Sequence, residues 1–244
     1  KQEVIERSRW KFVGDPKSSD TTLSHVILEG GFQPGKIYEV VYISSNPKVE
    51  GLGFAGVRDI ISFLKYKKNI AGQIKNAIGF GISQSGRFLR HFLYEGFNAD
   101  ERNRKVFDGV MAHVSGAGRG SFNQRFGQAS RDGLPFYNVL YPTDVFPFTD
   151  ATATNPFTKR VDGLLRKVPV SMQPKIMYSN TSFEYWGRSA ALIHATPDGK
   201  TDAKILPNTR IYFYSGGQHF TGAFPPAINR NPDYLAQQPA SPLD

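Results

Sequence analysis

The stretch Ala77-Ile78-Gly79-Phe80-Gly81-Ile82-Ser83-Gln84-Ser85-Gly86-Arg87-Phe88-Leu89-Arg90 changes period at its centre. Upstream, Ala77, Ile78 and Phe80 form a short apolar run of the kind that makes a buried strand. Downstream, Phe88, Leu89, Phe92 and Leu93 recur at helical spacing, and Gly96 closes the pattern. The stretch predicts a strand, a very tight turn and a helix, with Ser83 at the apex. Small residues two positions either side of Ser83 let the backbone fold sharply enough to push its hydroxyl outward, which is the mechanical requirement of a nucleophile elbow. The second small position is Ser85, expected to pack inward, with Gly86 directly behind it. The hexapeptide gains weight only from its context. It needs the strand before, the helix after, and an acid and a histidine later in the chain, in that order.

The rest of the chain supplies that context. Val26-Ile27-Leu28 and Ile37–Ile43 read as two strands around a turn at Pro34-Gly35, after a polar segment 1–20 expected to wrap the surface. Phe54, Val57, Ile61 and Leu64 put one apolar face on a helix over 54–66. Buried-strand runs follow at 107–114, 175–178 and 210–214. Strands alternating with helices imply a mostly parallel sheet, whose chemistry lies in loops beyond the carboxyl ends of its strands. The stretch 120–173 breaks the alternation. It is rich in Pro and aromatic residues, as in Tyr141-Pro142-Thr143-Asp144-Val145-Phe146-Pro147-Phe148, and is read as a cap or lid inserted in a single domain spanning 1–244.

A serine hydroxyl attacks only when a base takes its proton, and the base needs an acid to hold its tautomer. Of five histidines, His25 precedes the elbow, His91 lies on the helix behind it, His113 sits inside a strand and His194 falls in a helical pattern. His219 follows the strand 210–214 through Ser215-Gly216-Gly217-Gln218, a glycine-loosened turn at a carboxyl end, and is the histidine placed as a base. The acid should follow a strand and precede His219. Glu184 does so after 175–178. Asp198 and Asp202, in a polar stretch that reads as a solvent turn, remain alternatives, and Glu184 also fits a plain helix N-terminal charge. The backbone N–H of Gln84 opens the helix behind Ser83 and is the candidate oxyanion donor. A second donor is sought in the loop Ser44–Asn46. Tyr185, Trp186, Phe146, Phe148 and Phe157 are read either as walls of an apolar pocket or as plain packing of the insert.

Composition bounds the alternatives. The 244 residues, 39% hydrophobic, can bury one sizeable core. There is no cysteine, so disulfides and cysteine metal sites are excluded, and no histidine pair has ligand spacing, so no metal or other cofactor is expected. No apolar run approaches ~20 residues, so no transmembrane segment is expected. The formal charge is +9, with basic clusters at Lys65, Lys67, Lys68, at Arg102, Arg104, Lys105 and at Arg160, Arg166, Lys167. These read as solvated helix ends and loops, or as attraction for an anionic substrate. No basic stripe interleaves with aromatics, so nucleic acid is not an expected partner. The chain opens on lysine without a signal-peptide pattern and looks cut from something longer, which leaves export open.

The segments Gly31–Glu39, Gly51–Asp59, Gly79–Arg90, Gly116–Phe126 and Glu184-Tyr185-Trp186-Gly187-Arg188 resemble the alpha/beta hydrolase domain-containing protein family. That family is largely uncharacterised and bacterial, and its motif style is similar to tannase-like and glucuronoyl-type esterases. The resemblance covers nearly the whole chain. It implies an α/β-hydrolase-type sheet, mostly parallel, with helices on both faces and a lid insertion, truncated at both ends relative to longer members. It also implies Ser83 as nucleophile, Glu184 as acid and His219 as base. The expected activity is serine hydrolysis of a small-molecule ester, a carboxylic ester above all, through an acyl-enzyme. A related serine peptidase and a catalytically silent binding protein of the same fold are the alternatives.

Overall fold

Gly79 and Gly81 place the elbow strand where a helix can lie directly on it. The computed structural model describes residues 3–19, 22–43, 51–67, 72, 74–120 and 144–219, which divide into two compact units, Lys1–Lys48 and Val49–Asp244.

In the first unit β1 (Trp10–Val13) pairs antiparallel with β2 (His25–Leu28), Trp10 opposite Leu28 and Val13 opposite His25. The segment 1–20, read as surface wrapping, holds β1, and none of its described residues is buried. Trp10-Lys11-Phe12-Val13 is short, but its aromatic and β-branched side chains suit a half-buried ladder. Ile37–Ile43, read as a strand, carries none. An apolar β-branched run becomes a strand only where a neighbouring edge takes its N–H and C=O groups.

The second unit opens with α1 (Gly53–Tyr66), whose face of Phe54, Val57 and Ile61 turns to the core. Lys65 in its last turn is buried, and its ammonium donates to the carbonyls of Lys105 and Val106 and to Asp108 Oδ2. Then follow β3 (Ile78–Ile82), α2 (Gln84–Tyr94) and β4 (Gly109–His113). A small hairpin, β5 (Ala153–Thr154) with β6 (Val161–Asp162), precedes β7 (Lys175–Thr181), α3 (Ser182–Gly187) and β8 (Thr209–Tyr214). The four longer strands of this unit form a parallel sheet in the order β3-β4-β7-β8. Val110, Ala112, Ile176 and Tyr178 turn to one face and pack in the core with Phe54, Leu89 and Phe92 from the helices. A Cβ on Gly79 would stand 3.1 Å from the Leu89 side chain, so glycine there sets how closely α2 rides on β3. On the other face of β3, Ile78, Phe80 and Ile82 are exposed.

The insert joins β4 to β7. Its residues 121–143 lie outside the described residues. The part that follows is stitched to the sheet. The guanidinium of Arg90, fully buried on α2, donates to the carbonyls of Ala117 (2.9 Å) and Phe148 (2.6 Å) and lies 4.8 Å over the Tyr178 ring. Asp150 accepts from the hydroxyls of Tyr178 on β7 and Thr209 on β8, both at 2.6 Å. Burial pushes the Asp150 carboxyl up, with Arg90 opposing the rise. This buried polar seam fixes Phe146 and Phe148 within the core.

Candidate active site

The backbone at Ser83 has φ 55° and ψ −117°, a conformation that L residues rarely adopt. Two glycines permit it. A Cβ on Gly81 would lie 2.4 Å from the Ser85 carbonyl oxygen, and one on Gly86 would lie 2.8 Å from Ser115 Cβ. The Ser83 N–H donates to the His113 carbonyl of β4 at 2.9 Å, and the first helical bond of α2 runs from Arg87 N–H to Ser83 O. The expectation that Ser85 packs inward is corrected. Its side chain is exposed, because the close approaches of the turn involve its backbone, and the inward position belongs to Gly86.

Serine is a favoured N-cap residue, yet Ser83 caps nothing with its hydroxyl. Its Oγ lies 2.9 Å from His219 Nε2. The other ring nitrogen, Nδ1, lies 2.5 Å from Glu184 Oε1. A carboxylate can only accept here, so Nδ1 carries the proton, Nε2 is left as acceptor, and the Ser83 hydroxyl donates to it. An imidazole held in that tautomer can take the hydroxyl proton as the oxygen attacks, and the charge that then develops on the ring faces a carboxylate.

Three parallel strands bring these groups together from distant parts of the chain. Ser83 follows β3, Glu184 lies in α3 directly after β7, and His219 follows β8. Strand β4 lies between the first and the other two. The chain leaving β4 turns at once, with φ 43° at Val114 and φ 67° at Gly116. Gly116 is pressed against Arg188, where a Cβ would meet the Arg188 carbonyl oxygen at 2.4 Å. Its N–H donates to Asn180 Oδ1, and Ala117 N–H donates to Arg188 O. The tail of the Glu184–Arg188 segment therefore holds down the loop beside the elbow.

Glu184 is fully buried and heavily bonded. Its Oε2 accepts from the Thr181 N–H at 2.9 Å and from the Thr181 hydroxyl at 2.6 Å. Thr181 Oγ1 in turn takes the backbone N–H of Glu184, completing a capping box at the start of α3. The next residue, Ser182, accepts the Gly216 N–H at 2.8 Å, tying this turn to the loop that carries His219. Gly217 of that loop packs closely on this turn, since a Cβ there would stand 3.1 Å from Thr181 Cγ2.

The other acids lie in different bonds. Asp198 Oδ1 accepts from the Thr196 hydroxyl, and Asp202 forms an isolated bridge with Ala195. His113 Nδ1 shares a bond with Ser179 Oγ, His194 Nε2 with the Tyr185 hydroxyl, and His25 Nδ1 with Ser24 Oγ. His91 is buried on α2, and burial, with Arg119 adding to it, pushes its pKa down to about 4. Gln84 opens α2, where first-turn N–H groups have no intrahelical acceptor. The loop Ser44–Asn46 lies outside the described residues.

Among the aromatic candidates, Tyr185 packs against Trp186, His194 and Phe213, and Trp186 is 80% exposed. Phe157 is exposed. Phe146 and Phe148 line a cavity of about 110 Å³ with Leu192, Ala195 and Pro197, and neither Ser83, Glu184 nor His219 contributes to its wall. The ring set against His219 is that of Phe183, 5.3 Å away between centroids. Phe183 and Thr181 were not singled out in the sequence. The spacing Thr181-x-x-Glu184 carries the signal for the threonine, while nothing local marks the phenylalanine. Among the described residues no group of His, Asp and Glu could hold a metal ion, and no helix is long and apolar enough to cross a membrane.

No curated protein and no solved structure matches the chain. A family model described as an alpha/beta hydrolase domain matches residues 20–243, in keeping with the parallel sheet and its strand-turn-helix at Ser83. By that match the chain has a hydrolase fold and belongs to the alpha/beta hydrolase domain family.

Proposed function

We propose that this chain is a serine hydrolase that cleaves a carboxylic ester through an acyl-enzyme on Ser83. The observation that carries the reading is the unbroken row Ser83 Oγ, His219, Glu184, with contacts of 2.9 and 2.5 Å. As Ser83 Oγ bonds to the acyl carbon, its proton passes to His219 Nε2 and the carbonyl electrons move onto oxygen. The Gln84 N–H faces that oxyanion. The tetrahedral species collapses, the alkoxide leaves with the proton from Nε2, and the acyl group remains on Ser83. Water then repeats the sequence, giving up its proton to Nε2, forming the acid and freeing the serine. Glu184 keeps the ring in its tautomer and supports the imidazolium. The insert 120–173 is the proposed cap of a single domain, and Tyr185, Trp186, Phe146 and Phe148 are proposed to shape the substrate pocket.

The test is labelling with a fluorophosphonate, followed by a panel of model esters and a matched peptide. Ser83→Ala should abolish both labelling and ester turnover in a chain that still melts cooperatively. Turnover of peptide but not of ester would assign a peptidase instead. A folded wild-type chain that takes no label would leave the fold as a binding scaffold.

A further inference from the structure

We infer that Thr181 is a positioning residue for the acid of this site, and that its hydroxyl sets the orientation of Glu184 toward His219. The inference rests on the serine-hydrolase reading and deepens it. Glu184 is buried without access to water, so each oxygen must find protein donors. Oε1 serves His219. Oε2 is held by two donors from one residue, the N–H and the hydroxyl of Thr181. The hydroxyl also accepts the Glu184 N–H, so its own hydrogen is directed at the carboxylate and at no other acceptor. The carboxylate is thereby fixed at both ends, one oxygen on the cap and the other on the imidazole. With only the helix holding it, Glu184 could rotate about its terminal torsion, which is broad and roughly two-fold. The methyl of Thr181 has a separate task, packing beside Gly217 in the loop that carries His219.

The two functions of the side chain can be divided. Thr181→Val keeps the branched shape and loses the hydroxyl. Thr181→Ser keeps the hydroxyl and loses the methyl. In the full chain, Thr181→Val should lower kcat and the fluorophosphonate labelling rate roughly 10- to 100-fold with KM little changed, the scale set by one hydrogen bond to a charged group. Thr181→Ser should restore most of the rate. The downfield proton resonance of the His219 Nδ1–H, seen with labelled histidine, should broaden or move in the valine variant and return in the serine one. A purely structural cap predicts something else. Both variants would melt earlier, while kcat and the resonance of the folded protein would stay as in the wild type, and that result overturns the inference. So does a serine variant slower than the valine one, which would give the role to the methyl. A folded wild-type chain that takes no label overturns the hydrolase reading and this inference together. A labelled wild type with an equally reactive Thr181→Val overturns this inference alone.

Discussion

At Ser83 the chain turns from β3 into α2 with φ 55° and ψ −117°, and at Thr181 it turns from β7 into α3 with φ −98° and ψ −179°. Both junctions pass from strand to helix without a loop, and each delivers one polar side chain to His219. The first holds its residue by backbone shape. It has no side-chain cap, and it depends on Gly81 and Gly86 having no Cβ. The second is unstrained, extended backbone, and it holds its residue by hydrogen bonds from Thr181 to Glu184. The difference fits the two roles proposed for these residues, nucleophile and supporting acid. A nucleophile must stand exposed with nothing bonded to it except its base, so the chain itself has to aim it. A supporting carboxylate must stay buried and charged, so it needs donors, and donors can aim it.

The comparison breaks hardest at Gly81. Gly81→Ala puts a methyl 2.4 Å from backbone oxygen, where no side-chain motion relieves it. Loss of at least about 3 kcal/mol of stability, the upper end for overpacking, is expected in a urea titration, with activity gone. A variant as stable as the wild type would show that backbone shape does not hold this turn. At the other junction, Glu184→Gln should leave the fold cooperative but lower kcat by about 10³- to 10⁴-fold, because an amide cannot enforce the tautomer. A drop under tenfold in steady-state kinetics would remove Glu184 from the acid's role.

The junctions should also differ toward acid. The helix behind the elbow buries His91, with Glu95 at 3.5 Å and Arg119 near, and its pKa is pushed down to about 4. A histidine depressed in the folded state contributes stability in full above about pH 6.5. That contribution falls as the pH drops from there toward 4, where the unfolded chain binds the extra proton, and stops falling below. Urea midpoints measured across that window should decline more steeply for the wild type than for His91→Gln. Parallel curves would mean that the histidine is not buried neutral. The smallest effects are expected at two controls. Ser85→Gly should keep both fold and turnover, since the Ser85 side chain is exposed. Gly187→Ala meets nothing within 4 Å at the end of α3, and should change stability by less than about 1 kcal/mol.

The sequence discloses most where the physics is local. The switch of period around Ser83 lies within fourteen residues, and the strands at 109–113, 175–181 and 209–214 are apolar runs bounded by breakers. Glu184 and His219 are legible as candidates because parallel sheets deliver chemistry after strand ends, in chain order. What depends on distant partners is not legible. Ile37–Ile43 has strand composition and no ladder, whereas Trp10–Val13 has a ladder that its polar neighbours hide. The aromatics Phe146 and Phe148 are visible as pocket walls or as packing, but the bonds of Arg90 and Asp150 that anchor their segment to α2 and β7 are not. Thr181 is an intermediate case. Its spacing to Glu184 is visible, but a capping box reads as a helix start, and only the bond between Glu184 and His219 suggests the positioning role inferred for it.

The bond between Ser83 and His219 joins residues 136 apart in the chain. During synthesis the strand-turn-helix at Ser83 precedes β7 and β8, and His219, its proposed base, is added 136 residues after Ser83. At ordinary elongation rates that interval is roughly 7 to 27 s. Over that time the nascent protein has a serine and no partner to take its proton. On the proposed chemistry, the order of the chain thus acts as a timer, keeping the growing polypeptide chemically idle until all four strands of its described parallel sheet have been made.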